Sequence, residues 1–552
     1  MNLLRLLRRS GPQRLRWLLL AAAGSALATT VVLAIVNAAA QQIAAEHADF
    51  VDLKLGLLFA GATVGFLFSQ AWLIRLIATD VERAVDQLRL GLADRVRHAD
   101  LLKLDAFGQT RLFDSISQAS QAISQSSHYL AQTLQSILLI VAIMAYIAVF
   151  NLTAFLVIIG MLTVGTWVYR RLGRALKAQS KQAAAAEAVL FESVSDLFDG
   201  FKEQRLNSAR SQGLSDAFAQ ASGHAMTARS LLHVQGWSQF ISGEFLSYLT
   251  LGLVIFVVPA YITGFSAAMA QLTTAVLFLF VPLVGLMNTL KVVEDAEFEA
   301  GRMLDLEPQL TALAEVGSSA PGQPLPEDFL TIAMAGVEFA YHAEPGERPF
   351  TVGPLDVTLQ RGEVVFLTGG NGSGKSTFIK LLTGLYHPTA GQLRLDGRPI
   401  GPERLAAWRE KMATVFSDFR LFARLYGTAT SDEQEALRLM RWLEMETVTE
   451  LQDGRFTRRD LSGGQRKRLA LVAALLEGKP ILILDEWAAD QDPHFRRTFY
   501  REIVPGLKRQ GLTVIAVTHD DRYFDVADRR LHMEEGRLFE LPVPPAPEGR
   551  SA

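Results

Sequence analysis

Six stretches of this chain are long and apolar enough to need a home outside water: Trp17–Ala40, Leu55–Ile77, Leu134–Phe150, Leu152–Tyr169, Phe240–Ile262 and Leu272–Leu290. Backbone groups cannot stay unpaired in hydrocarbon, so runs of about 20 such residues cross its ~30 Å core as helices. The composition agrees, with 49% hydrophobic and 20% charged residues and a mean hydropathy of +0.20. At 552 residues the chain exceeds one ordinary domain, so at least two are expected. Net charge is only -3, which gives no basis for a nucleic-acid partner. There is no cysteine, which removes disulfides, thiol catalysis and cysteine-ligated metal.

Arg5, Arg8, Arg9, Arg14 and Arg16 precede the first stretch, as in a secretory signal. A signal core is about 7–15 residues, whereas Trp17–Ala40 is long enough to span, so it is read as a retained first helix. Gln41–Leu53 and Thr263–Gln271 contain no Lys or Arg, while the N-terminus and the long polar segments do. The positive-inside bias therefore places the N-terminus, both long loops and the C-terminal domain in the cytoplasm.

The inner connections, 78–133 and 170–239, lack Pro and are rich in Ala, Gln, Leu and Glu, so they read as helix. A helix from Leu152 to Asp199 would measure roughly 70 Å at ~1.5 Å per residue, about twice the hydrocarbon thickness. It must protrude into the cytoplasm and turn back, with a break expected at Asp199–Gly200. The tips of the two hairpins fall near Asp105–Asp114 and Gly200–Asn207. Glu244 lies near the cytoplasmic end of the fifth stretch, either hydrated there or in contact with cargo. Asn288 in the sixth reads as a helix-to-helix hydrogen-bonding group.

Val316–Glu327 is rich in Pro, Gly and Ser and reads as a linker. Beyond it, Val364–Leu367, Ile481–Leu484 and Val514–Val517 are buried-strand candidates of a parallel sheet. The expected division is a transmembrane domain 1–305, a linker 306–328, an α/β nucleotide-binding domain 329–541 and a disordered Pro-rich tail 542–552.

Four segments of the last third carry the chemistry. Gly369, Gly370, Asn371, Gly372, Ser373, Gly374, Lys375 and Ser376 form a P-loop, followed by Thr377 as a further nucleotide contact. Its glycines let backbone N–H groups close around phosphate, Lys375 reaches the β/γ-phosphates and the Ser376 hydroxyl ligates Mg²⁺. Asp485 ends the apolar run Ile481–Leu484, and Glu486 follows it. A carboxylate there holds Mg²⁺ through water, and its neighbour is the general base or water-orienting group for attack on the γ-phosphate. Ser462, Gly463, Gly464 and Gln465 open a helix from Arg466, whose N-terminus offers an anion site. His519 ends the last apolar strand.

The Leu461–Gln465 segment, placed between the P-loop and Asp485–Glu486, resembles the signature of ATP-binding-cassette (ABC) proteins, and the resemblance runs from about Phe329 to Leu541. It implies an all-α polytopic membrane domain of exporter type, with six helices, followed by an α/β P-loop ATPase domain. By this resemblance the hairpin tips are coupling helices that dock on ATPase domains. Ser462–Gln465 should close over ATP held by a second copy, so a homodimer is implied. His519 resembles the switch histidine at the γ-phosphate, Tyr341 the aromatic stacked on adenine, and Asp492 the acid linking the two sites. Glu486 is present, although degenerate cassettes lose it.

The chain departs from the exporter pattern after Met412–Val415, where Ser417, with Asp418 beside it, replaces a glutamine that touches Mg²⁺ or water. Either oxygen is a candidate Mg²⁺-shell group. Phe456–Asp460 also replaces a glycine-rich segment common in drug exporters.

Asp485-Glu486-Trp487-Ala488-Ala489-Asp490-Gln491-Asp492-Pro493, Gly464–Leu471, Thr518–Phe524 and Val281–Asn288 resemble bacterial cyclic-peptide exporters, a group that includes transporters of syringomycin-like lipopeptides, pyoverdine siderophore precursors and lasso-peptide microcins. This resemblance implies a half-size exporter of the bacterial inner membrane using ATP and Mg²⁺. Its cargo would be a small amphipathic peptide or siderophore, and its surroundings membrane lipids. Motor motifs do not read cargo. A lipid or hydrophobic-drug flippase, and an ATP-binding membrane regulator without transport, remain alternatives.

Overall fold

Each apolar stretch, over its described residues, lies on a helix, and most of these helices continue past the stretch at one end or both. The computed structural model describes residues 2–9, 12–46, 53–258, 265–315, 323–341, 349–427, 433–458 and 460–545. Among these, six helices are long and apolar enough to cross a membrane: Pro12–Glu46, Leu53–Arg97, Ser127–Phe150, Leu152–Asp199, Ser208–Gly252 with its π-helical extension Leu253–Val257, and Phe265–Ala312. Both expected outer connections, residues 316–322 of the linker and the tail from residue 546 lie wholly or partly outside the described residues.

Helix boundaries follow local chemistry. Asn151 separates the third and fourth spans, and its Oδ1 accepts from Ala154 N–H at 2.9 Å, so one side chain caps the 48-residue helix Leu152–Asp199. That helix ends at Gly200, as the length argument expects. The second tip is the helix Phe201–Leu206, followed by Asn207 as the cap of Ser208–Gly252. The first tip is shifted from the expected 105–114. Its helix is Leu101–Phe107, and Gly108, at φ 91°, ends it before the next helix begins at Gln109. Phe265–Ala312 also runs through residues 306–312, which composition assigns to the linker.

The chain divides into two compact units, residues 1–92 with 110–308, and residues 93–109 with 309–552. In the first, the arginine-rich start is the helix Asn2–Arg9, which buries Leu3 and Leu6 and donates Leu3 N–H to Glu297 Oε2 at 2.9 Å. The spans pack through Ala26, Leu33, Ile143, Ile147, Ala154 and Ala275. Small residues at such contacts let backbones approach closely. Uncharged polar links join the apolar stretches: Asn37 to Tyr146 Oη at 3.2 Å, and Gln135 Nε2 to Gln70 at 2.7 Å and to Ser25 at 3.1 Å. The interhelical bond expected of Asn288 is made by its neighbour. Thr289 is buried and accepts from Thr133 at 2.7 Å, while Asn288 is exposed. Glu244 is half-buried.

The second unit is built on a six-stranded sheet in the order Arg537–Leu541, Arg529–Glu534, Val364–Gly369, Thr513–Val517, Ile481–Asp485, Met412–Val415. All neighbours are parallel except the first pair. The three central strands are buried along their whole length, which is why they read as unbroken apolar runs. A four-stranded antiparallel sheet, Thr351–Gln360, Thr331–Ala340, Ala390–Leu395 and Arg398–Pro399, packs beside it.

The tip 93–109 folds with this unit. Leu101 and Leu102 pack on the core that contains Phe339, Phe378 and Tyr386. Asp100 N–H donates to Leu313 O at 2.8 Å, and Glu315 N–H to His98 O at 2.9 Å. Glu315 is clasped by Arg409, with Nη1 to Oε2 at 2.8 Å, and by His387 Nε2 at 3.1 Å from Oε1. Burial alone would raise the Glu315 carboxyl, but the Arg409 and His387 contacts outweigh it and hold the pKa at about 2.

Candidate nucleotide site

The strand Val364–Gly369 must turn sharply into the helix Lys375–Leu382, and only glycine permits the turn. Gly369 sits at φ +148°, where a Cβ would come 2.3 Å from Met533 O, and Gly374 sits at φ +105°. Gly370, Asn371 and Gly372 form the rim of the loop. Ser373 is buried and its Oγ has no hydrogen-bond partner among the described residues. Lys375 is 6% exposed and donates from Nζ to the Gly369 and Gly370 carbonyls at 3.0 and 2.9 Å. An orphaned hydroxyl, a buried ammonium held by its own loop and a helix N-terminus together fit a phosphate chain. Ser376 is exposed at the start of this helix. Thr377 is buried, with Oγ1 2.9 Å from Tyr341 Oη.

Asp485 ends its strand 3% exposed. Burial is the largest influence on its carboxyl and raises it above the ordinary range; hydrogen bonds from Ser417 pull it down. Ser417 Oγ donates to Asp485 Oδ2 at 3.1 Å. Asp418 is exposed and makes no such contact among the described residues. Of the two candidates at the atypical position, the serine is therefore joined to the site. Glu486 adopts a left-handed conformation, φ 49° and ψ 35°. Its Oε1 lies 3.4 Å from His519 Nε2 and 4.0 Å from Lys375 Nζ. Residues separated by more than a hundred positions thus meet at the ends of adjacent parallel strands.

Ser462 and Gln465 form a capping box on the helix Gly463–Leu476: Ser462 Oγ accepts from Gln465 N–H at 3.3 Å and Gln465 Oε1 from Ser462 N–H at 3.1 Å. Gly463 is exposed, and a Cβ on Gly464 would come 2.7 Å from Asp490 O. Asp492 caps the helix Pro493–Thr498 and pairs with Arg468 Nη2 at 2.9 Å. Tyr341 is half-buried in an aromatic cluster, edge-on to Phe339 at 5.0 Å and to Tyr386 at 6.1 Å.

Sequence reasoning missed the groups behind the site. Trp487 is buried against Phe499, with ring centroids 4.4 Å apart, and donates Nε1–H to Lys467 O at 2.7 Å. Lys467 Nζ donates to Glu486 O at 2.7 Å and pairs with Asp490 at 2.8 Å. Behind His519, Tyr500 Oη bonds Thr518 Oγ1 at 2.6 Å and Asp520 Oδ2 at 3.0 Å, and its phenol is pushed well up, chiefly by burial. The one available signal was the Asp485–Pro493 stretch, which contains Trp487 and Asp490.

Sheet, P-loop and capped helix make the second unit an ABC ATPase, and residues 352–489 match the family model described as ABC transporter. The whole chain is 29% identical to the ATP-binding protein SyrD of Pseudomonas syringae pv. syringae, covering 100% of this chain and 98% of that one. It is 25% identical to the ATP-dependent lipid A-core flippase of Paraburkholderia xenovorans (strain LB400), over 84% of this chain and 79% of that protein. Its fold matches that of a bacterial Atm1-family ABC exporter with ATP bound, with a TM-score of 0.74 and 18% identity over 96% and 94% of the two chains. Six membrane-length helices among the described residues, followed by this unit, give the chain the multi-pass architecture of an ABC exporter, and it is a transport ATPase.

Proposed function

We propose that two copies of this chain, in the bacterial inner membrane with the ATPase domain in the cytoplasm, use ATP and Mg²⁺ to export a compact amphipathic peptide. A cyclic or lasso peptide fits best, and a related siderophore or lipopeptide shares its chemistry. The observation that carries this reading is end-to-end likeness to SyrD, membrane region included, added to the cyclic-peptide-exporter resemblance of Asp485–Pro493. One chain supplies one P-loop and one signature helix, so a second copy completes each ATP site.

In the proposed cycle Lys375 leaves the Gly369 and Gly370 carbonyls and moves to the phosphates, while Ser373 Oγ gains its missing partner. Tyr341 stacks on adenine, and Ser462–Gln465 cover the phosphates of the other copy's ATP. Ser376 and Asp485, with Ser417 bonded to the latter, are the oxygen donors that suit Mg²⁺, water and phosphate completing its shell. Bound there, Mg²⁺ neutralises charge on the transferred phosphoryl group. Glu486 orients the attacking water and takes its proton, and His519 steadies the Glu486 carboxylate from 3.4 Å. Asp492, the acid linking the two sites in this reading, caps the helix Pro493–Thr498 and pairs with Arg468 of the signature helix.

The buried links within the spans through Asn37, Gln70 and Gln135 are polar but uncharged, which suits an amphipathic cargo over a highly charged one. A cyclised or knotted peptide has already lost much chain entropy, which lowers the cost of confinement. A second reading, lipid flipping, is favoured by the likeness to the lipid A-core flippase. ATPase activity of the protein in lipid nanodiscs separates the two. Stimulation by cyclised or lasso peptides, weaker with their linear counterparts, supports peptide export. A response to lipids alone supports flipping.

A further inference from the structure

We propose that Lys467, on the signature helix, is a positioning residue for Glu486 and sets its carboxylate for hydrolysis. The inference rests on reading Glu486 as the hydrolytic base.

Lys467 is 5% exposed, an unusual place for an ammonium. It reaches from the helix Gly463–Leu476 to the end of the strand Ile481–Asp485 and donates to the backbone carbonyl of Glu486 at 2.7 Å. The same Nζ pairs with Asp490 Oδ2 at 2.8 Å, so the charge is compensated. In return, the Lys467 carbonyl accepts from Trp487 Nε1 at 2.7 Å. The peptide unit after Glu486 is therefore gripped twice by one lysine, through its carbonyl oxygen and through the following side chain. Trp487 is itself fixed by burial and by Phe499 at 4.4 Å.

The grip matters because Glu486 holds φ 49°, a conformation that residues other than glycine seldom adopt unless their surroundings impose it. In it, the carbonyl faces the signature helix and the carboxylate lies 3.4 Å from His519 and 4.0 Å from Lys375. Loss of the ammonium would leave this backbone free to relax, and the carboxylate would swing with it. The contact is reinforced by Gln491, which donates to Gly464 O at 3.1 Å and accepts from Arg468 Nε at 2.9 Å. Glu486 is thereby tied to the first turns of the helix that binds phosphate. Trp487, Asp490 and Gln491 all belong to the Asp485–Pro493 stretch that resembles the cyclic-peptide exporters.

The test uses the full-length protein in nanodiscs and measures kcat and KM for ATP, nucleotide affinity and thermal unfolding for Lys467→Met, Lys467→Gln, Glu486→Gln and the double variant Lys467→Met/Glu486→Gln. Misplacing a reacting group by about 1 Å costs roughly 100-fold. Lys467→Met is therefore expected to lower kcat about 10- to 100-fold with KM and ATP affinity within about threefold. Lys467→Gln, whose amide can still donate to the Glu486 carbonyl, should recover part of the loss. Adding Lys467→Met to Glu486→Gln should change the residual rate less than about threefold, because the lysine acts through the glutamate. A wild-type kcat in Lys467→Met, a loss confined to KM, or a full multiplicative loss in the double variant overturns the proposal. If Lys467→Met does not fold, Lys467→Gln decides alone: reduced kcat at unchanged KM supports the role, and unchanged kcat overturns it. Wild-type turnover in Glu486→Gln would instead overturn the reading of Glu486 itself.

Discussion

Ser417 Oγ donates to Asp485 Oδ2 across 3.1 Å, so a hydroxyl occupies the position where exporters usually carry a glutamine, and it is bonded to the strand-end carboxylate. The shorter side chain reaches the carboxylate directly. Its neighbour Asp418 stays exposed.

Ser417→Ala should therefore weaken the site for Mg²⁺ and leave the fold intact. A hydrogen bond to a charged group contributes about 1.5–3 kcal/mol, so the Mg²⁺ needed for half-maximal ATPase should rise roughly 10-fold or more. Asp418→Ala should shift it far less. Titrating Mg²⁺ at saturating ATP checks both, and the reverse order of effects would assign the role to the aspartate.

Lys375→Ala and Glu486→Gln should fail in different ways. Without its ammonium the P-loop loses its phosphate contact, so nucleotide affinity should fall. With Gln at 486 the phosphate contacts survive and the proton acceptor is lost, so ATP should bind normally while turnover drops at least ~100-fold. Equilibrium nucleotide binding alongside steady-state hydrolysis separates the two. Wild-type-like turnover in Glu486→Gln would remove the assigned base, whereas no steady-state hydrolysis by the wild type would favour a binding-only regulator.

The Glu315 cluster predicts a pH dependence with a definite sign. Its carboxyl is held at about 2, below the ordinary 4.5, by Arg409 and His387. A depressed carboxyl contributes stability above its unfolded value, and that contribution fades as pH falls from about 4.5 towards 2. Glu315→Gln should destabilise the ATPase unit by roughly 1–3 kcal/mol at neutral pH, which lowers its unfolding midpoint, and flatten the decline below pH ~4.5. Thermal unfolding at pH 6 and pH 3.5 provides the measurement. Parallel losses in the two proteins would contradict it.

How much was legible in the sequence depended on the range of each interaction. The break at Gly200 and the cap at Asn151 are local, and length and residue type are enough to place them. The P-loop, Asp485–Glu486 and Ser462–Gln465 carry their chemistry in contiguous residues, so their roles can be read before any fold is known. The first hairpin tip was misplaced because its helix is set by contacts some two hundred or more residues away, between Asp100 and Leu313 and between His98 and Glu315. Thr289 rather than Asn288 makes the interhelical bond because one residue of helix rotates a side chain by about 100° and hydropathy does not report rotation. Nothing in the sequence sets Lys467 apart within Gly464–Leu471. Only the approach of its helix to the end of the strand Ile481–Asp485 reveals it behind Glu486.

The central claim is ATP-driven export of a compact peptide, and transport itself tests it most directly. Inverted membrane vesicles containing the wild type should accumulate a labelled cyclised or lasso peptide only when ATP and Mg²⁺ are supplied, and accumulate its linear form less. Vesicles containing Glu486→Gln should accumulate neither. Equal uptake of the cyclised peptide by the two proteins, or ATP-dependent movement of lipid with no uptake of peptide, would contradict the account.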